Sequence, residues 1–276
     1  MAIFLQCFLF FLLSFTTTAQ YYCPRCEHKG KVSYFSDDSA LSSGACAYGS
    51  TALDFNNGYL AAASSSLYND GYLCGGCYRM RCKNKKLCRS EGTTVIVTDE
   101  FTNSNKTDFV LSRKAYMGMA KKGMEKQLLE KTGALDVTYK RYPCEVFNKK
   151  NLTLRVEESS KWPNDLVVKV LYQAGQIEIG SIHFTAKEGR SASFYLGKNH
   201  SAVWSVHDNN IPKGPLVFNF EFLQETQTLI SSMITAKNLL PAHWKPGMMY
   251  DTGVQMNEYI RWEDCGSINQ CPEDNW

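Results

Sequence analysis

Among the carboxylates of this chain, Asp99 is placed as a reactive group would be. It follows Thr93-Thr94-Val95-Ile96-Val97-Thr98, a run dominated by β-branched residues, and it opens the polar loop Glu100 to Thr107 that ends on Asp108. A carboxyl group at the end of a strand can serve as general acid or general base. The same position also suits a turn former, because an Asp side chain bonds readily to nearby backbone. Glycoside hydrolysis needs a second carboxyl, about 5–5.5 Å away for retention or about 6.5–9.5 Å away for inversion. With Asp99 as acid, Asp108 and Glu100 are the candidate bases, and spacing alone sets neither of them opposite Asp99 across a groove.

The other chemistry-bearing pattern is cysteine. Cys23-x-x-Cys26 and Cys74-x-x-Cys77 have the spacing of a tetrahedral zinc site. The start of the chain argues for a different use. Met1 to Gln20 holds no charged side chain, and its apolar block Ile3 to Phe15 is followed by Thr17, Thr18 and Ala19. That pattern reads as a secretory leader, with cleavage expected after Ala19 although the usual basic start is missing, and the block is too short to span a bilayer. Removal deletes only Cys7 of the 11 cysteines, so an even set enters an oxidising route and is expected to form disulfides. None of the five histidines has a paired metal-ligand spacing, so neither a metal nor a cofactor is expected. The sequons at Asn105, Asn151 and Asn199 suit a secreted glycoprotein.

Composition removes further classes. With 30 Lys+Arg against 27 Asp+Glu, a net charge of +3 and no basic run interleaved with aromatics, nucleic acid is not an expected partner. Hydrophobic residues make up 44% of the chain, which excludes disorder as the default. There is no glycine-rich phosphate loop, no Gly-x-Ser-x-Gly elbow and no His-Glu-x-x-His helix, so the signatures of nucleotide enzymes, serine hydrolases and zinc proteases are missing. No stretch after the leader looks membrane-spanning.

The elements that position Asp99 belong to a cysteine-stapled front half. Eight cysteines lie between Cys23 and Cys144, and none follows until Cys265. In that half, 93–98 and 136–140 read as strands, and one helix is expected from an N-cap at Ser112 through Tyr116, Met119, Ala120 and Met124, weakened by Gly118 and Gly123. A polar segment at 145–150 marks a boundary. Beyond it the apolar period becomes two, through Leu152, Leu154 and Val156, then 166–172, then Ile177, Ile179 and Ile182, then Leu216, Phe218, Phe220 and Phe222. That pattern points to a β-sandwich. The expected division is a leader at 1–19, a first domain at 20–147, a sandwich at 148–256 and a polar, cysteine-bearing tail at 257–276.

Five segments, taken in order, resemble the plant expansin superfamily. They are Ser33-Tyr34-Phe35; Ser43-Gly44-Ala45-Cys46-Ala47-Tyr48-Gly49; Leu67-Tyr68-Asn69-Asp70-Gly71 with Cys74-Gly75-Gly76-Cys77-Tyr78; Tyr139-Lys140-Arg141-Tyr142-Pro143-Cys144; and Pro241-Ala242-His243-Trp244. The early cysteine pair, Thr98-Asp99 and the tail after Tyr250-Asp251-Thr252-Gly253-Val254-Gln255 are most similar to the expansin-like A branch. The resemblance implies a mainly β fold. A six-stranded double-psi β-barrel, similar to family 45 endoglucanases and barwin proteins, would be followed by an immunoglobulin-like β-sandwich similar to pollen group-1 allergens. It also implies the pairings Cys46 with Cys74, Cys77 with Cys144, and Cys82 with Cys88. Cys23, Cys26, Cys265 and Cys271 stay unassigned, either as adjacent pairs or as bridges tying the tail to the amino terminus.

By the same resemblance, Ser33 stands at a groove Thr position beside Tyr34, Asp99 is the loop acid, and Phe101 is its aromatic neighbour. The family's second acid falls on Val110 when Leu111-Ser112 is aligned with its Leu-Ser, while Asp108 lies two residues earlier. Flat aromatics expected on the sandwich are replaced by Asp165 and His200, and Trp204 and Trp162 remain as candidate sugar platforms or core covers. A glycan on Asn105 would stand at the rim of the groove. The resulting expectation is a secreted, extracellular, monomeric protein of the plant cell wall. It would bind wall polysaccharide, cellulose or matrix glucan, and loosen the wall without cutting it. Its rivals are an endoglucanase using Asp99 with Asp108, and a wall-binding or defence module with no loosening activity.

Overall fold

A computed structural model describes residues 26–36, 44–102, 107–131, 133–173, 178–188, 192–223 and 233–258. The segment 1–19 expected to be a leader, Asn105, Cys23, Cys265, Cys271 and nearly all of the 257–276 tail lie outside the described residues.

Six strands form a closed barrel: β1 (His28–Tyr34), β2 (Leu60–Ser64), β3 (Cys77–Cys82), β4 (Thr93–Phe101), β5 (Phe109–Leu111) and β6 (Leu135–Tyr142), in the order β1-β5-β2-β4-β3-β6. The pairs β1 with β5 and β2 with β4 are parallel, and the rest are antiparallel. Alternation sends Val32, Tyr78, Met80, Val95, Val97, Phe109, Leu111, Val137 and Tyr139 into one core, where the rings of Tyr78, Phe109 and Tyr139 meet in tilted and edge-on contacts of 5.0–6.2 Å. β2 is built on three consecutive alanines, all fully buried. Such small side chains let neighbouring backbones and the helical turn α1 (Ser65–Tyr68) approach closely.

The helix expected from Ser112 is shorter than its pattern. Ser112 caps it, its Oγ accepting from Ala115 N at 3.2 Å, yet α2 spans only Arg113–Met117 and ends on Gly118. A separate turn, α3 (Glu125–Leu129), follows. Met119 still reaches the core. The three disulfides implied by the resemblance are present: Cys46–Cys74, Cys77–Cys144 and Cys82–Cys88. Cys26, buried, is disulfide-bonded as well.

The second half contains β7 (Thr153–Val156), β8 (Asp165–Leu171), β9 (Ile179–Ala186), β10 (Phe194–Lys198), β11 (Val203–His207), β12 (Leu216–Phe222), β13 (Met233–Thr235) and β14 (Met249–Asp251). The strand order is β13-β12-β9-β10-β11-β8-β7-β14. β10 turns the corner between two layers: Phe194, Tyr195 and Leu196 pair with β9, whereas Gly197 and Lys198 pair with β11. Between the layers lies a second core of Leu154, Val156, Leu166, Val168, Val170, Ile182, Phe184, Trp204, Phe218 and Phe220. The fold is therefore mainly β, a double-psi barrel followed by a β-sandwich.

The two cores touch. Leu171 and Ala202, carried by the sandwich, are buried in the barrel's cluster, and Tyr172 packs edge-on against Phe55 and Phe147. Lys198 Nζ donates to Asp70 O at 3.0 Å and to Ser201 O at 2.5 Å, and the Tyr68 hydroxyl donates to His200 O at 2.9 Å. Gly71, at φ +80°, sits where a Cβ would lie 2.5 Å from Ser201 N, so this backbone crossing admits only glycine without rearrangement.

Candidate functional site

A register shift in β4 aims Asp99. Ala61 pairs with Val97 and Ala62 with Asp99, which leaves Thr98 as an extra, unpaired residue. Such a bulge interrupts the in–out alternation and redirects the next side chain. Thr98 is 1% exposed, its carbonyl accepts from Cys46 N at 3.3 Å, and its Oγ1 has no hydrogen-bond partner. The following carboxylate is then clamped from the backbone, Oδ1 accepting from Ala45 N at 2.6 Å and from Glu100 N at 2.8 Å. A Cβ on Gly44 would lie 2.5 Å from Thr98 O and 2.8 Å from Asp99 Cβ, so the 44–45 loop can lie this close only with glycine there. Burial raises the Asp99 pKa, and the two amides offset that only in part. Both amides land on Oδ1, and Oδ2 has no hydrogen-bond partner among the described residues.

Across the barrel wall, Ser33 of β1 pairs with Val110 of β5, Val110 with Ala62 of β2, and Ala62 with Asp99 of β4. The four form one row, and Val110, the position that resemblance assigns to a second acid, stands two strand spacings from Asp99, about 10 Å. Asp108 lies off this row. It precedes β5, its Oδ2 accepts from Lys31 N at 2.8 Å, and it fills the space a Gly30 side chain would occupy, against Tyr139. Its pKa is also raised, chiefly by burial. Its carbonyl accepts from Ser64 N, and Ser64 pairs with Phe101, two residues beyond Asp99. Asp108 is therefore offset from Asp99 both across the sheet and along it.

Tyr34 meets Tyr116 in a tilted ring contact of 4.8 Å and spends its hydroxyl on Leu129 O at 3.1 Å. Phe101 is half-buried against the barrel core. Trp204 departs from its candidate role as a sugar platform. It is 3% exposed because alternation on β11 turns it into the sandwich core. Trp162 is 40% exposed, with Nε1 donating to Ala242 O at 2.8 Å and its ring near His243.

Asp165 contacts His207 Nδ1 across β8 and β11, and His200 Nδ1 lies 3.1 Å from Asp70 Oδ1 at the junction of the domains. The side of the β14-β7-β8-β11 layer turned away from the core carries ion pairs. Arg155 meets Glu157 at 2.7 Å and Glu158 at 2.5 Å, and Lys169 meets Glu157 at 3.0 Å. The segments that hold Gly44-Ala45 and Tyr68 carry the family resemblance, but the sequence alone does not assign Gly44-Ala45 as the clamp on Asp99 or bring the Tyr68 hydroxyl near it, where burial together with Glu100 and Asp99 pushes that group well above its ordinary pKa. The available signal was the run of small residues before Cys46.

Two family models match the chain, one described as lytic transglycolase at residues 60–139 and one as expansin C-terminal domain at residues 152–241. Expansin-like A3 of Arabidopsis thaliana is 47% identical over 94% of this chain and 95% of its own length, and expansin-like A2 of the same plant is 46% identical over 99% of both. Expansin-like A3 of rice (Oryza sativa subsp. japonica) is 37% identical over 90% of this chain and 89% of its own. A crystal structure of Clavibacter michiganensis expansin superposes with a TM-score of 0.61 at 17% identity, over 84% of this chain and 98% of that one. A point mutant of that bacterial protein, crystallised with cellohexaose, gives 0.60 over 82% and 96%. Barrel, sandwich, disulfides and near full-length identity agree, and the chain belongs to the expansin superfamily, in its expansin-like A branch.

Proposed function

We propose that this chain is a secreted wall protein that binds β-glucan chains of the plant cell wall along the Ser33–Val110–Ala62–Asp99 row and displaces them without breaking glycosidic bonds. One observation carries the reading: Asp99 is a clamped, half-buried acid whose row offers a valine where a second acid would be needed. General acid–base catalysis adds about 10²–10⁴-fold only from within hydrogen-bond reach. Asp99 and Asp108 are each committed to separate backbone amides, and Asp108 lies off the row that holds Asp99, an arrangement unlike two carboxyls facing one another across a scissile bond. A fixed acceptor on an open β face suits a sugar hydroxyl. The cellohexaose complex of the bacterial neighbour supports a linear β-glucan as the ligand class.

In this reading Asp99 Oδ2 accepts from a sugar hydroxyl, Ser33 adds a second polar contact further along the row, and Phe101 offers a partly open ring. Trp162 is the aromatic available on the sandwich. The ion-paired outer face offers a sugar chain charges in place of flat rings to stack on, which removes a second grip that displacing a chain would need and favours a second reading, a wall-binding module without loosening activity.

Creep of heat-killed walls under load, with reducing ends followed in parallel, separates the readings. Extension without new reducing ends, lost in Asp99→Asn, is expected. Reducing ends that disappear in Asp99→Asn would establish the hydrolase instead, and wall binding without extension would establish the second reading.

A further inference from the structure

The Asp99 row occupies β4, β2, β5 and β1. The remaining arc of the barrel, β4-β3-β6, carries a recess of different chemistry. An open cleft of about 370 Å³ is lined there by Asn56, Arg79, Thr94, Tyr142, Glu145 and Val146, among others. That size lies within the range of roughly 300–1,000 Å³ typical of small-ligand sites.

Arg79 dominates the recess. Its Cζ stands 3.6 Å from the centroid of the Tyr142 ring, and its Nε donates to Thr94 Oγ1 at 3.4 Å. Thr94 of β4 is its partner in register, so the tether follows from the barrel itself. Stacked on one face and tied at Nε, the guanidinium is held flat, and its two Nη groups have no hydrogen-bond partner among the described residues. Arg79 makes no ion pair among the described residues, in contrast to Arg81 on the same strand, which meets Glu27 at 3.3 Å. A preorganised guanidinium fork without a carboxylate is complementary to one, because two parallel N–H vectors match two carboxylate oxygens.

The rest of the lining suits a polyol. Asn56 sits in the left-handed region at φ 45°, ψ 40°, and its Nδ2 donates to Thr94 O at 2.8 Å. That bond fixes the amide and leaves Oδ1 as an acceptor. Val146 is exposed at the lip and supplies an apolar contact for the C–H face of a sugar ring. Glu145, exposed beside it, opposes an anion, so the site is tuned to a single carboxylate placed on the Arg79 edge and is weakened by salt.

We propose that this cleft binds a uronic acid unit of an acidic polysaccharide, with the sugar carboxylate on the Arg79 fork, its hydroxyls on Asn56 and its ring against Val146. The biological partner, a pectin-like wall chain, rests on the wall placement proposed above. The binding site itself does not.

The test uses the full secreted chain and two soluble probes, trigalacturonate and cellohexaose, in titration calorimetry at low and moderate salt. Trigalacturonate is expected to bind the wild type and to lose at least tenfold in affinity in Arg79→Gln. Arg79→Lys keeps the charge but lacks the fork, and is expected to recover only part of that loss. Lys161→Gln removes an equal charge from an exposed site on the sandwich and should bind trigalacturonate like the wild type. Cellohexaose affinity should be unchanged in Arg79→Gln, which also reports that this variant is folded. Absence of trigalacturonate binding to the wild type, equal affinity in Arg79→Gln, or full recovery in Arg79→Lys would overturn the proposal. If creep is indifferent to Asp99→Asn while uronate binding still depends on Arg79, the proposed function fails and this site stands.

Discussion

Asp99 holds two backbone amides on one oxygen, so a proton added to its carboxyl goes to the other oxygen, Oδ2, and converts the acceptor proposed to meet a glucan into a donor. Burial raises its pKa, which moves that conversion above the ordinary Asp value of about 3.9. Glucan affinity measured across the acid range is therefore expected to break at a pH above that value in the wild type and to run flat in Asp99→Asn. The linked effect on folding has a definite sign. A raised folded-state pKa contributes stability that is complete below the unfolded pKa and is lost as pH rises through the folded one. Asp99→Asn, which keeps an acceptor for both amides, should thus melt no lower than the wild type at neutral pH, and a lower Tm in that buffer would contradict the account. Asp99 itself was legible in the chain, because a β-branched run ending on an acid is a local pattern. Its clamp was not, because Ala45 reaches it across 54 residues.

Strands rich in β-branched residues or with apolar alternation are the legible elements: β4, β6, β7, β8 and β12 all coincide with runs read from the chain. β2 gave no such signal. Alanine is depleted in strands, and Leu60–Ser64 forms one because its neighbours leave room only for small side chains. The single helix read through Met124 failed for the opposite reason: its spacing was right, but Gly118 ended the helix and Met119 reached the core from the following turn. The two candidate tryptophans divide in the same way, since sequence gives the residue type and the strand's face gives its use. Trp204→Ala is expected to cost about 3–5 kcal/mol of stability in chemical denaturation, as for a large aromatic removed from a core. Trp162→Ala should stay within about 1 kcal/mol and show its effect in wall binding. Equal destabilisation by the two would mean that β11 does not present the face described.

Arg141 and Glu178 join the barrel to the sandwich through a bond of 2.7 Å, with the two side chains 2% and 14% exposed. Removing one partner of a buried pair takes the main counter-charge from the other, at a typical cost of about 3–5 kcal/mol. Glu178→Ala is expected to lose that much in equilibrium denaturation and to separate the unfolding of the two halves into distinct steps. A single transition of unchanged midpoint would show the pair to be incidental. Nothing in composition or periodicity announced this junction, because its members are isolated residues such as Gly71, Lys198 and Ala202, scattered through both halves.

One strand, β10, completes both layers of the sandwich and then delivers Lys198 and His200 to the barrel. The carboxy-terminal half is consequently no detachable cargo module. Severing the polypeptide after Lys149 would strip Leu171, Tyr172 and Ala202 of their cover and leave a sticky apolar scar, so truncation would make an aggregating fragment before it made an independent lectin.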